Sequence, residues 1–171
     1  MERVPQAGYE IVGLPIQGFN RSQPWKNIRV LINLLRSLRQ ARKIIRSFRP
    51  DVGVGVGGYA SGAAMRVAAK MGIPILLQEQ NGFAGLTNKM LKDDAAKICV
   101  AYENMERFFP KEKLMLTGNP VRQGLLHPTM SKEECASAFG MDAMKPIVLI
   151  IGGSLGARTV NESVLHNLEE I

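Results

Sequence analysis

Asp51-Val52-Gly53-Val54-Gly55-Val56-Gly57-Gly58-Tyr59-Ala60-Ser61-Gly62 decides the fold. Alternating valines and glycines read as a short strand, the paired glycines as a tight turn, and Tyr59 onward as a helix. Close strand–helix packing would account for one or two of these glycines but not for five. A strand, glycine turn and helix in this order bring backbone N–H groups and a helix N-terminus up to a phosphate. Ile147-Val148-Leu149-Ile150-Ile151-Gly152-Gly153-Ser154-Leu155-Gly156-Ala157-Arg158 has the same form. Two such turns imply two phosphate-bearing ligands, or one ligand held between two lobes.

Outward from the first turn the pattern alternates. Strands are expected at 51–56, 73–78, 97–102, 113–117 and 147–151, and helices at 59–71, 84–93, 103–109, 131–139 and 157–170. Residues 8–16 read as a short strand or extended lead-in. The alternation predicts an α/β fold, a Rossmann-like doubly wound parallel sheet with ligands at the carboxyl ends of its strands. Gln78-Glu79-Gln80-Asn81-Gly82 and Thr117-Gly118-Asn119-Pro120-Val121-Arg122 fall at such ends. Four polar residues directly after Ile-Leu-Leu mark a ligand-facing turn. Ser154 is placed to cap a helix and, with the same hydroxyl, to touch a phosphate.

Upstream, Trp25 to Phe48 carries helical periodicity. Ile28, Leu31, Leu35, Leu38 and Ile45 form one apolar stripe, which Val30, Leu34, Ala41, Ile44 and Phe48 widen. A second line, Arg29, Ile32, Arg36, Arg39, Lys43 and Arg46, is mainly basic, and Pro50 ends the helix. Between Ile11 and Pro50 lie nine basic residues and no Asp or Glu, whereas the rest of the chain carries 13 basic and 15 acidic groups. The net charge of +7 therefore belongs to one segment. Lacking acids, that segment has no i,i+4 pairing partners. With Phe19, Trp25 and Ile32 near the same surface, it suits an anionic membrane. A nucleic-acid contact is the alternative, though no recognition helix, stacking platform or zinc module accompanies the helix.

Other chemistries find less support. No apolar run approaches the length of a membrane span, and Met1-Glu2-Arg3-Val4-Pro5 lacks a secretory apolar region, which predicts a cytoplasmic location. Cys99 and Cys135 form neither a disulfide framework nor a metal pair, and His127 and His166 stand apart. Gly53-x-Gly55-x-x-Gly58 followed by Glu79 matches a dinucleotide fingerprint, but its first two glycines lie inside the strand rather than at the turn. A nicotinamide-dependent oxidoreductase stays open as an alternative. Neither turn ends in Gly-Lys-Ser/Thr, which argues against a nucleotidase P-loop.

Four motifs in order carry a resemblance: Gly55-Val-Gly-Gly-Tyr59-Ala-Ser-Gly62, Gln78-Glu-Gln-Asn-Gly-Phe-Ala-Gly-Leu-Thr-Asn88, Thr117-Gly-Asn-Pro-Val-Arg122 and Gly152-Gly-Ser-Leu-Gly-Ala-Arg158. Together with Gly13-Leu-Pro and the basic helix, the chain resembles the MurG family of peptidoglycan N-acetylglucosaminyltransferases over essentially its whole length. The resemblance implies a GT-B glycosyltransferase, two Rossmann-like lobes facing across a cleft. It also implies an inverting hexosyltransferase of cell-wall synthesis, serving cell shape and division. The family moves N-acetylglucosamine from UDP-GlcNAc to the 4-hydroxyl of the muramoyl sugar of lipid I, giving lipid II, at the cytoplasmic face of the membrane.

Residue by residue, the resemblance places Gly57, Gly58, Tyr59, Ser61 and Gly62 at the acceptor's diphosphate. It places Asn81 at the donor sugar, with Glu79 and Gln80 shaping the same cleft, and Arg122, Gly152, Gly153, Ser154 and Gly156 at the donor nucleotide. Trp25, Arg29, Ile32, Arg36, Arg39 and Lys43 would face the membrane. Neither a cofactor nor a protein-bound metal is expected, because backbone donors and a helix dipole offset charge growing on departing UDP.

The family's opening glycine-rich loop, ending in His, has no counterpart before Gly55. The acceptor-activating base is therefore either outside these residues or Glu79. Residues 1–140 are expected to be most of an acceptor-binding lobe without its first βα units, and 141–171 the start of a UDP-sugar-binding lobe. Such a piece is expected to be inactive alone, and to form a homodimer through its open sheet edge. A non-catalytic membrane-surface module on the same fold is the competing expectation.

Overall fold

A computed structural model of the chain describes residues 3–16, 27–127, 129–153 and 157–168. Phe19, Trp25, Ser154, Leu155 and Gly156, named above, lie outside the described residues, as do the side chains of Ile28 and Arg29. The chain divides into two compact units, Met1–Pro120 and Val121–Ile171.

The first unit is built on the strands β1 (Gly53–Gly55), β2 (Ile75–Glu79), β3 (Lys97–Val100) and β4 (Leu114–Leu116). They pair in parallel in the order β1-β2-β3-β4, with Gly53 opposite Ile75, Leu76 opposite Lys97 and Ile98 opposite Leu114. Because this order never reverses, right-handed crossovers put the connecting helices α3 (Gly58–Lys70) and α4 (Leu86–Leu91) on the same face. Ile75, Leu77, Ile98 and Val100 point to that face and are buried with Ala68, Ala84, Leu91, Ala95, Met105 and Phe109. The alternate residues Val54, Lys97 and Met115 are exposed, and Leu76 and Cys99 half-buried.

Gly55 explains how closely α3 approaches the sheet. A Cβ there would stand 2.8 Å from Met65 Cγ and 2.9 Å from Leu77 Cδ2, so only a hydrogen fits. The strand glycines thus serve helix–sheet packing, while the glycines after them shape the turn.

After a first short helix, α1 (Arg3–Gln6), comes α2 (Asn27–Phe48), which packs against α3. Its covered side is Val30, Ser37 and Ala41, flanked by half-buried Leu34, Leu38, Ile44 and Ile45. Leu31 and Leu35, expected on the core stripe, are exposed instead. The apolar arc of α2 is wider than the surface α3 offers, and the small residues Ser37 and Ala41 are among those it covers. Periodicity shows the arc but not which part of it finds a partner. Ile32, Arg36, Arg39, Lys43 and Arg46 are all exposed, as the basic line predicts. The helix ends at Phe48, with Arg49 in the left-handed region (φ 53°) before Pro50.

Three further differences have local causes. Residues 9–16 form no strand; one tie to the helix is Gln40 Nε2 donating to the Gly13 carbonyl at 3.2 Å. The helix expected at 103–109 contracts to a 3-10 turn, Met105–Arg107, because Asn104 is left-handed (φ 60°) and Pro110 excludes a helical continuation. The strand expected at 147–151 is absent: these residues are exposed and pair with no other described strand. An apolar run makes a strand only where a neighbour accepts its backbone groups.

In the second unit, α5 (Gln123–Leu126), α6 (Lys132–Ala138) and α7 (Arg158–His166) follow in turn. Helix α6 starts with a reciprocal cap: Glu134 N donates to Ser131 Oγ at 3.1 Å and Ser131 N donates to Glu134 Oε2 at 2.7 Å. Such a cap contributes about 1 kcal/mol.

Candidate functional site

The carboxyl end of β2 carries Glu79, whose side chain is buried although it is charged (2% exposed). A buried carboxylate needs donors, and the chain supplies them from its next nine residues. Glu79 Oε1 accepts from Asn81 N at 3.2 Å and Asn81 Nδ2 at 3.1 Å. Glu79 Oε2 accepts from Gly85 N and Asn88 Nδ2, both at 2.9 Å. Burial by itself would raise the carboxyl's pKa. The hydrogen bonds from Gly85, Asn88 and Asn81 outweigh burial and hold it below its ordinary 4.5. With both oxygens engaged and basicity reduced, Glu79 is suited to positioning the loop at 81–85 rather than to taking a proton.

That loop is fixed on its outer side as well. Arg107 Nη2 donates to the Gly82 carbonyl at 2.8 Å, Phe83 meets Phe108 edge-on with centroids 4.8 Å apart, and Lys89 Nζ lies 4.5 Å from the Phe83 centroid.

Opposite Glu79 stands the glycine turn. Gly57 (φ 88°, ψ −178°) and Gly58 (φ 80°) occupy conformations that L side chains rarely adopt. They open α3 without a side-chain cap, which leaves its first-turn N–H groups free for a ligand. Gly57, Gly58 and Tyr59 line one wall of a cleft of about 290 Å³, and Glu79, Gln80, Asn81 and Asn88 line the other. Gly57, Gly58 and Tyr59 are thus brought to the same cavity as Glu79, Gln80 and Asn81, with a helix N-terminus and a cluster of amides lining it together. Such a cleft can hold a phosphate at α3 and hydroxyl or amide groups of a sugar at the asparagines.

Two polar strand ends converge as expected. Gln78 Nε2 donates to the Gly118 carbonyl at 3.1 Å, and Asn119 Nδ2 donates to the Gln80 carbonyl at 3.2 Å, tying the ends of β2 and β4 together. Ser61 and Gly62 do not line the cleft. The Ser61 hydroxyl is buried without a protein partner, 3.1 Å from where a Gly55 Cβ would lie, and Gly62 lies against Thr87. Arg122, Gly152 and Gly153 belong to the second unit, where all three are exposed.

Asn88 is a polar residue of the cleft that sequence reasoning left without a role. It is buried (2% exposed), donates also to the Gln78 carbonyl at 3.1 Å, and keeps Oδ1 unpaired within the wall of the cleft. A signal was present: Ala84, Asn88 and Leu91, spaced i, i+4 and i+7, are all buried, and a lone amide on an apolar stripe has a polar partner to meet. Among the described residues, no group of three His, Cys, Asp or Glu side chains could hold a metal ion.

The family model described as Glycosyltransferase family 28 N-terminal domain matches residues 1–100. The chain belongs to this family. A Phocaeicola vulgatus relative named UDP-N-acetylglucosamine--N-acetylmuramyl-(pentapeptide) pyrophosphoryl-undecaprenol N-acetylglucosamine transferase is 57% identical over 171 residues, covering all of this chain and 46% of the relative. A Bacteroides fragilis relative with the same name is 54% identical, covering all of this chain and 45% of the relative. The crystal structure of Acinetobacter baumannii MurG is similar with a TM-score of 0.68 at 28% identity, covering 99% of this chain and 45% of that one. This glycosyltransferase family 28 chain thus spans about half the length of the curated relatives it matches. Its parallel sheet with helices is the Rossmann-like arrangement expected of a GT-B lobe.

Proposed function

We propose that the chain is the acceptor-side part of an inverting hexosyltransferase that moves N-acetylglucosamine from UDP-GlcNAc to the muramoyl 4-hydroxyl of lipid I. The observation that carries this reading is the meeting of Gly57–Tyr59 at the start of α3 with Glu79, Asn81 and Asn88 around one cleft. Relatives whose similarity extends over the whole chain are named as N-acetylglucosamine transferases. The glycine turn receives the acceptor diphosphate, Asn81 reaches the donor sugar, and residues 141–171, with Arg122, Gly152 and Gly153, belong to the nucleotide side. Charge on leaving UDP is met by backbone donors, so neither cofactor nor bound metal enters the reading.

The test is transfer of labelled GlcNAc to a short-chain lipid I analogue, by this chain and by a form extended at both ends to the length of its relatives. The extended form is expected to turn over and the 171-residue chain to be inactive. In the extended form, Asn81→Ala is expected to reduce kcat/KM at least about 100-fold while folding persists, since a site built around a hydrogen bond suffers most from its loss. An unchanged kcat/KM would remove Asn81 from the donor-sugar site, whereas a folded extended form that transfers nothing would favour the non-catalytic membrane module.

The exposed basic face of α2 gives the reading its location, peripheral at the cytoplasmic face of the membrane. Among the described residues, no helix is long and apolar enough to cross a membrane. Cosedimentation with anionic vesicles, but not with neutral ones, is expected, and Arg36→Glu with Arg39→Glu is expected to abolish it. Binding that survives both the charge reversal and high salt would refute an electrostatic contact. The β1 edge, with Val52, Val54 and Val56 exposed, is placed to pair with a second copy. Light scattering of the 171-residue chain at tens of micromolar is expected to give a dimer mass, and a monomer mass would dismiss it.

A further inference from the structure

Beside the polar cleft lies a second, partly open cavity of about 280 Å³, bordered by α2, α3 and α4. Val30, Leu34 and Leu38 line it from α2, Ala63 from α3, and Met90 and Leu91 from α4. Its surface is almost wholly apolar; among the described residues the one charged side chain at its wall, Arg66, is engaged in an ion pair with Asp94. The two cavities share a partition, because Tyr59, Leu86 and Thr87 line both. Thr87 meets α3 at Gly62, where a Cβ would stand 3.1 Å from Thr87 Cγ2. A ligand whose phosphate sits at the start of α3 and whose apolar tail leaves past Tyr59 would enter this second cavity directly.

We infer that the apolar cavity holds the first isoprene units of the acceptor's lipid, next to the diphosphate bound at Gly57–Tyr59. The inference rests on the proposed function and deepens it: the relatives' printed substrate is a pyrophosphoryl-undecaprenol, a diphosphate ester of a polyprenol. Such a molecule needs a polar and an apolar receptor in immediate succession, and the two cavities stand in that order. The occupant is the acceptor's own tail, not the bilayer, so the effect persists without a membrane.

The test uses the extended transferase with water-soluble acceptors below their aggregation concentration and no vesicles. Two muramoyl-pentapeptide diphosphates are compared, one carrying a C5 prenyl group and the other a C15 prenyl group. The acceptor KM is expected to fall at least about tenfold from C5 to C15. Leu34→Trp and Met90→Trp, which fill the cavity, are expected to erase that gain while leaving the donor KM unchanged. Equal KM for the two acceptors in the unsubstituted enzyme overturns the inference, as does the full gain persisting in both variants. Transfer to neither acceptor overturns the proposed function, and this inference with it. Should the tryptophan variants fail to fold, a C15 prenyl diphosphate with a photoreactive terminus decides the matter in the unsubstituted enzyme. Labelling within α2 or α4 is expected, and labelling only elsewhere overturns the inference.

Discussion

Glu79→Gln is expected to lower the stability of the chain by about 2–5 kcal/mol at neutral pH, although it removes a buried charge and changes the side-chain volume little. The four donors around Glu79 leave no acceptable orientation for an amide. Asn81 N and Nδ2 face one oxygen, and Gly85 N and Asn88 Nδ2 face the other. Whichever oxygen becomes an NH2 group, two N–H donors then meet another donor inside the protein. Urea unfolding of both forms measures the loss.

The pH dependence gives the same experiment a signed control. The folded-state pKa of Glu79 lies below 4.5, so its stabilisation is complete above that value and is lost as pH falls through the folded pKa. The stability gap between the unsubstituted chain and the Glu79→Gln variant is therefore expected to be constant near neutrality and to shrink under acid. A gap that grows on acidification would remove the carboxylate network as its cause.

The second large effect is kinetic. Gly57→Ala in the extended transferase is expected to reduce turnover by about 100-fold or more, since a displacement of about an ångström in a positioned site is enough for that. At φ 88° and ψ −178° Gly57 occupies a region nearly closed to other residues, which costs alanine about 1–3 kcal/mol. The added methyl would also stand 4.0 Å from Asn88 Nδ2, inside the cleft. Gly72→Ala separates the two consequences. Gly72 also has a positive φ (78°) and has nothing within 4 Å of a built Cβ, but it follows the other end of α3. Comparable destabilisation with unimpaired turnover is expected there. Equal kinetic loss in both variants would mean that backbone strain, not the geometry of the turn, explains the result.

How far the sequence could be read depended on whether a feature answers to its own neighbours or to distant ones. The turn at Gly57–Gly58 and the helix after it are encoded within a dozen residues, and both stand where the pattern put them. The same holds for α2, whose end is set by Arg49 and Pro50. The run Ile147–Ile151 is equally apolar, but a strand needs a partner, and no local pattern names one. The covered side of α2 failed for a related reason: Leu31 and Val30 are equally apolar, and only the position of α3 separates them. Asn81 and Glu79 were recognisable as polar residues at a strand end. Their direct bond to each other, and the part Asn88 takes in it, arise from how α4 returns over β2.

The unreversed strand order also has a bearing on how the protein is made. Each strand pairs with the strand completed just before it, at separations of about twenty residues, and short separations favour rapid assembly. The sheet can thus grow in the direction of synthesis, one βα unit at a time, without waiting for distant chain. The last bonds closed in this succession are Gln78 to Gly118 and Asn119 to Gln80, which bridge β2 and β4 across β3. What forms last from single side-chain ties opens first. Amide exchange is accordingly expected to be quick at Gly118 and Asn119 and slow at Leu77 and Glu79, so the outer end of β4 loosens while β2 stays paired.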